Sequence, residues 1–79
     1  MAYDLRDLWQ LDGYKVAETD TSGPPNYYGY LNGNGEWYIM KEAASAVGMS
    51  YTYARTGVAF ATGWAGRALL TYAAFDVVF

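Results

Sequence analysis

The chain contains no cysteine and no histidine. The first absence excludes disulfides and thiolate metal sites. The second removes the commonest zinc ligand and the commonest general base. Serine nucleophiles are left without an imidazole to activate them, and no glycine-rich phosphate loop precedes a helix. Charge is scarce as well, at 16% of residues, against the usual quarter. Five basic residues, Arg6, Lys15, Lys41, Arg55 and Arg67, are scattered along a chain of net charge −3, so no basic stripe exists to neutralise phosphates and nucleic-acid binding is excluded. No apolar run approaches the ~20 residues of a membrane span. The N-terminus, Met1-Ala2-Tyr3-Asp4-Leu5, lacks the basic-then-apolar layout of a signal peptide. The chain therefore reads as a complete small gene product made in a cytoplasm, without cofactor or metal.

What the chain has in abundance is aromatic rings: 19% of residues, nine of them tyrosine and three tryptophan. Seventy-nine residues make one domain, near the size at which a single core is marginal and a staple is needed. With disulfide and thiolate metal gone, a partner is the staple that remains. Tyrosine and tryptophan suit surfaces where one end of a ring is dry and the other wet, so the composition also points to association.

The strongest local signal is Tyr27 to Met40, two aromatic arms around Asn32-Gly33-Asn34-Gly35, which predicts a hairpin. A four-residue loop over Asn32–Gly35 pairs Tyr30 with Trp37, Gly29 with Tyr38 and Tyr28 with Ile39, setting a ring over the bare glycine. A two-residue Asn34-Gly35 loop pairs Tyr30 with Ile39 instead; the first register is preferred. Residues 14–19 read as a first strand with Tyr14 and Val16 on one face. Residues 20–26 are turn formers, and 43–48 a loose small-residue connection. Met49, Tyr51, Tyr53 and Arg55 alternate with Ser50, Thr52 and Ala54 as another strand. Gly57, Gly63 and Gly66 interrupt an alanine-rich stretch, so 57–67 is read as an irregular loop and 68–72 as a short strand or turn. Leu5, Leu8 and Trp9 at helical spacing, with Asp4 as N-cap, predict a short N-terminal helix. The apolar end Phe75-Asp76-Val77-Val78-Phe79 is expected to be tied down, against its own sheet or a neighbouring subunit. The fold class is thus mainly β, a small antiparallel meander of about four or five short strands. Residues 1–13 form a helical assembly segment and residues 14–79 the β domain, and oligomerisation stabilises the whole.

Each candidate for chemistry has a plainer structural explanation. Asp20-Thr21-Ser22-Gly23 is similar to the aspartic-protease signature, but the spacing is off by one residue and a turn explains it. The acids lie mostly near turns or in the N-terminal segment, so no facing pair for glycoside hydrolysis is evident. Asn32 and Asn34 suit a turn better than a calcium loop. Arg55 and Arg67 each call for a ring or a carboxylate such as Glu42 or Asp76. Tyr28, Tyr30, Trp37, Tyr51 and Tyr53 offer either core and subunit interface or a platform for stacking sugars.

Taken together, Tyr28-Gly29-Tyr30-Leu31, Gly35-Glu36-Trp37-Tyr38-Ile39-Met40, Tyr51-Thr52-Tyr53-Ala54, Trp64-Ala65-Gly66-Arg67 and the end Tyr72 to Phe79 resemble a group of very small proteins of tailed bacteriophages. That resemblance covers residues 14–79. It implies a non-enzymatic virion protein, tail-fibre or tail-associated, with a head decoration or accessory protein as the alternative. On this reading the chain is made in the host cytoplasm and resides in the virion. It assembles with itself, a trimer being the first expectation, and with other virion proteins. Tyr28, Tyr30, Trp37, Tyr38, Tyr51, Tyr53, Trp64, Arg67 and Phe79 are the candidate assembly or ligand residues. A module binding host surface glycans is a rival from another class. A small intracellular regulator acting through the acidic N-terminal segment is a third.

Overall fold

A computed structural model describes residues 13–78. The expected N-terminal helix and Phe79 lie outside the described residues. Four strands, β1 (Lys15–Asp20), β2 (Asn26–Leu31), β3 (Trp37–Ser45) and β4 (Gly48–Ala54), form one antiparallel sheet in the order β1-β2-β3-β4. This is the expected meander, because short connections keep consecutive strands adjacent. A short helix α1 (Phe60–Ala65), a 3-10 turn (Arg67–Leu69) and a helical turn α2 (Phe75–Val78) follow.

The register of the central hairpin differs from both sequence alternatives: Leu31 pairs with Trp37, Tyr30 with Tyr38, Gly29 with Ile39 and Tyr28 with Met40. Asn32 organises the turn. Its Oδ1 accepts the backbone N–H groups of Asn34 (3.0 Å) and Glu36 (2.9 Å), and its own N–H donates to Glu36 O at 3.0 Å. Gly35 lies in the left-handed region, φ +83°, and this adds one residue to the loop. A one-residue slip sends side chains to the other face. Trp37 therefore turns away from Tyr30, and the stacked pair is Tyr30 with Tyr38, centroids 4.7 Å apart and 18° from parallel.

Other boundaries move for similar reasons. Residues 43–48 are not a loose connection: β3 and β4 pair through to Ser45↔Gly48, and a tight turn at Ala46 and Val47 joins them. Gly48, at φ +123°, supplies a backbone conformation that side chains disfavour. The segment 57–67 contains α1 rather than only irregular loop, and of the two readings of 68–72, strand or turn, the turn is the one present. Ala73 instead makes an isolated antiparallel bridge to Tyr53.

Both faces of the sheet are covered. On one, Tyr30, Tyr38, Met40 and Tyr53 form a buried cluster, with Tyr14, Tyr28, Tyr51 and Val78 packed around it. On the other, α1 lies over Trp37 and Gly29. A Cβ on Gly29 would approach Phe60 Cζ at 2.7 Å and Trp64 Cε3 at 3.0 Å. The bare glycine is thus covered by rings, as expected, but they come from the helix and not from the facing strand. Gly63, which reads as a helix breaker, sits directly against the Trp37 ring. The helix tolerates it because that contact leaves no room for a Cβ. After the 3-10 turn the chain passes the outer edge of β4 at Ala73 and reaches the first face, where Phe75 meets Tyr53 edge-on at 5.2 Å. The described part of the apolar end, residues 75–78, is tied to its own sheet.

Gly63→Ala tests this packing. Alanine gains up to about 1 kcal/mol of helix propensity over glycine, but overpacking a filled core costs about 1–3 kcal/mol. Trp37 is 3% exposed and cannot move outward, so the steric cost wins. The expected result is a lower urea midpoint at unchanged slope, and an equal or higher midpoint would show that the helix does not press on the ring.

Candidate functional site

The nine candidate residues do not form one site. Tyr30, Trp37, Tyr38 and Tyr53 are buried, each no more than 3% exposed, and belong to the subunit's own core. Tyr28 and Tyr51 are half-buried at one end of the first face. Trp64 and Arg67 lie together over the second face, and Phe79 falls outside the described residues.

Tyr28 and Tyr51 converge on Glu42, a residue that the composition did not single out as a centre. Its Oε1 accepts from Asn26 Nδ2 at 3.0 Å and from the Tyr28 hydroxyl at 3.2 Å, and the Tyr51 hydroxyl donates to it as well. β2, β3 and β4 position the four side chains, because Asn26 and Tyr51 are both register partners of Glu42 and Tyr28 follows two residues after Asn26. The Asn26 hydrogen bond, helped by the two phenols and opposed by burial, holds the Glu42 carboxyl below its ordinary range. Conversely, burial and the carboxylate raise Tyr28, and the hydrogen bond to Glu42 raises Tyr51. The carboxylate is ionised and engaged by donors supplied by the sheet itself.

On the second face Arg67 is the hub. Its Nη2 and Nε donate to Asp20 Oδ2 at 2.8 and 3.2 Å, and Nη1 to the Trp64 carbonyl at 2.8 Å. The guanidinium lies 4.5 Å from the Trp64 ring centroid and 5.9 Å from that of Tyr27, a stacked cation–π arrangement. The Tyr72 hydroxyl donates to the Arg67 carbonyl at 2.7 Å, and the Tyr72 ring carries Lys41 Nζ at 4.8 Å. Both expected kinds of partner are present, ring and carboxylate, but the acid is Asp20 and not Glu42 or Asp76. Nothing local marks that pair, since its members are 47 positions apart.

Asp20 is also the acid of the protease-like tetrapeptide. Its Oδ1 accepts the Ser22 hydroxyl at 2.6 Å and the Ser22 N–H at 3.1 Å, the local turn expected of Asp and Ser. With Ser22 first and Arg67 second, these bonds lower its pKa to about 2 from 3.8. A group lowered on folding stabilises the fold fully above its unfolded pKa, and that contribution drains away as pH falls through the folded value. Thermal scans are expected to show melting falling between about pH 4 and pH 2, with Glu42 acting in the same direction. Asp20→Asn is expected to melt lower at neutral pH and to show a shallower acid dependence. An unchanged acid slope in that variant would refute the Asp20 anchor.

A groove of about 480 Å3 opens beside the hairpin loop. Glu36, Trp37, Arg55, Thr56 and Val58 are among its lining residues. Trp37 Nε1 donates to the Val58 carbonyl at 2.7 Å, which ties two of these lining residues together. Elsewhere the surface carries isolated apolar side chains, among them Val47 at the β3–β4 turn (98% exposed), Leu69 (90%) and Val77 (73%). Among the described residues no group of three or more acidic, histidine or cysteine side chains is placed to hold a metal ion, and no helix is long and apolar enough to cross a membrane. No family model, curated protein or solved structure matches the chain.

Proposed function

We propose that this chain is a non-enzymatic structural protein of a bacteriophage particle, tail-fibre or tail-associated, that works by docking to copies of itself and to other virion proteins. The observation that carries the reading is how the side chains are used. Among the described residues, the two carboxylates with shifted pKa values, Asp20 and Glu42, are both occupied by hydrogen bonds that hold the sheet and its covering segments. Strong shifts often mark catalytic groups, but here donors from the fold account for them. The surface also exposes several apolar side chains, Val47, Met49, Leu69 and Val77, which are available for contact with another protein. The placement in a particle is supported by the resemblance of residues 14–79 to small tailed-phage proteins.

The glycan-binding alternative loses most of its platform. Tyr30, Trp37 and Tyr53 are buried and present no face to a sugar, while Tyr28 and Tyr51 direct their hydroxyls to Glu42. Mass spectrometry of purified particles, with a copy number per particle, tests the proposal. A fixed, stoichiometric copy number is the expected result, and absence from the particles would exclude a virion role.

A further inference from the structure

The hairpin loop holds the same dipeptide twice, Asn32-Gly33 and Asn34-Gly35. Asparagine is a chemically labile residue, most of all before glycine, which has no side chain to hinder approach to its main-chain nitrogen. Local sequence treats the two pairs alike, and so does the space around the glycines: a Cβ on Gly33 or on Gly35 would meet nothing within 4 Å. The fold treats the two asparagine side chains differently. Asn32 is half-buried and engaged at both ends of its amide. Its Oδ1 accepts the N–H groups of Asn34 and Glu36, and its Nδ2 donates to Glu36 Oε1 at 2.9 Å. Asn34 is exposed and lines the groove, and among the described residues its side-chain amide makes no hydrogen bond. The Gly35 N–H donates to the Asn32 carbonyl at 3.2 Å, longer than the other bonds that close the loop, at a position open to water.

We propose that Asn34 is a site of spontaneous deamidation, and that Asn32 in the same loop is protected by the bonds that hold its amide. With its proton lost to hydroxide, the Gly35 nitrogen attacks Asn34 Cγ. The N–Cγ bond forms, the Cγ–Nδ2 bond breaks, and Nδ2 leaves as ammonia with a proton from water. The product is a cyclic imide shared by residues 34 and 35, which water then opens. Addition of water at Cγ restores the ordinary main chain with an aspartate at position 34. Addition at the main-chain carbonyl carbon leaves the chain running through Cγ, an isoaspartate. Water is consumed and ammonia released, and nothing is oxidised or reduced. At Asn32 the same attack must bring Cγ into line with the Gly33 nitrogen and release Nδ2 from Glu36. Giving up the three hydrogen bonds of that amide slows the reaction there by more than about tenfold. Either product at position 34 adds one negative charge to the net −3 of the chain, on a groove rim that already carries Glu36. The isoaspartate also lengthens the main chain between the Asn34 and Glu36 N–H groups that Asn32 Oδ1 holds together, so the loop loosens. This chemistry needs no partner and stands independently of the virion reading.

Peptide mapping by mass spectrometry, on folded protein held at mildly alkaline pH in heavy-oxygen water, provides the test. Residue 34 is expected to acquire the label more than about tenfold faster than residue 32. The same incubation in concentrated urea removes the fold, and there the two sites are expected to react at similar rates. Asn34→Gln is expected to lose both the label at position 34 and the acidic form that ion exchange separates from the aged wild-type protein. The isoaspartyl fraction is expected to exchange its Glu36 amide hydrogen faster than the Asn34→Asp variant, which has the same charge and an ordinary main chain. An unlabelled Asn34 in the folded protein, equal labelling of the two sites, a preference for position 34 that survives in urea, or an acidic form that accumulates as fast in Asn34→Gln would each overturn the proposal. Equal Glu36 exchange in the isoaspartyl fraction and the Asn34→Asp variant would overturn the loosening of the loop.

Discussion

Trp37→Ala is expected to lose about 3–5 kcal/mol of stability, the range for removing a large buried aromatic. The indole is 3% exposed, and three contacts depend on it. Phe60 meets it edge-on at 6.0 Å, Gly63 closes directly on its ring, and its Nε1 holds the Val58 carbonyl at 2.7 Å. Truncation opens a cavity, leaves that carbonyl without its donor and detaches α1 from the sheet. Domains carry roughly 0.05–0.15 kcal/mol of stability per residue, or about 4–12 kcal/mol for 79 residues. The loss takes most of the lower end of that range. Circular dichroism and urea titration are expected to show a largely unfolded chain or a much lower midpoint. Trp37→Phe keeps part of the ring and removes the donor, so it is expected to fall between. A loss below about 1 kcal/mol in the alanine variant, the size of one net hydrogen bond, would mean that α1 is not docked through this ring.

Tyr38→Ala is expected to cost as much through the opposite face. Tyr38 is fully buried and lies at the centre of a ring cluster, 4.7 Å from Tyr30, 5.1 Å from Tyr14 and 6.3 Å from Tyr53. Its removal forfeits buried area, about 3–5 kcal/mol by the same measure, with paired-ring contacts of about 0.5–1.5 kcal/mol each included in that loss. Near-ultraviolet circular dichroism, which reports packed rings, is expected to collapse before secondary structure does. Tyr38→Leu fills much of the space without the ring contacts and is expected to recover part of the loss. An alanine variant with a wild-type near-ultraviolet spectrum would show that the cluster is not centred on Tyr38. Trp37 and Tyr38 are adjacent in sequence yet anchor separate half-cores, because successive strand residues point to opposite faces.

That pair illustrates how far the sequence could be read. Alternation and turn chemistry located β2, β3 and β4 and the hairpin between the first two, since those signals lie within a few residues of each other. Whether Trp37 shares a face with Tyr30 or with Leu31 depended on one residue in the loop, and the left-handed Gly35 decided it. Gly63 read as a breaker of any long helix, and Gly29 as a bare strand position to be covered by a ring of the facing strand. Both are sites where a ring from elsewhere in the chain must come close, which no local window can show. Burial divides the aromatic residues into a core set and a half-buried set clustered around Glu42 and Arg67. Asp20 was legible as a turn former and Glu42 as a carboxylate for an arginine, but the long-range partners each one has were not, because they arrive through sheet register and through a chain reversal.

By itself the sequence determined the class of fold and the poverty of chemical groups. With neither cysteine nor histidine and with a surplus of rings, a β meander packed by aromatics was the architecture its patterns agreed on. Only the tertiary structure decided that both faces of the sheet are covered and that Asp20 is clamped by Arg67. The physical reason is one of range. Strand alternation and turns are set by neighbours in the chain, whereas covering a face or pairing a charge depends on where distant segments return.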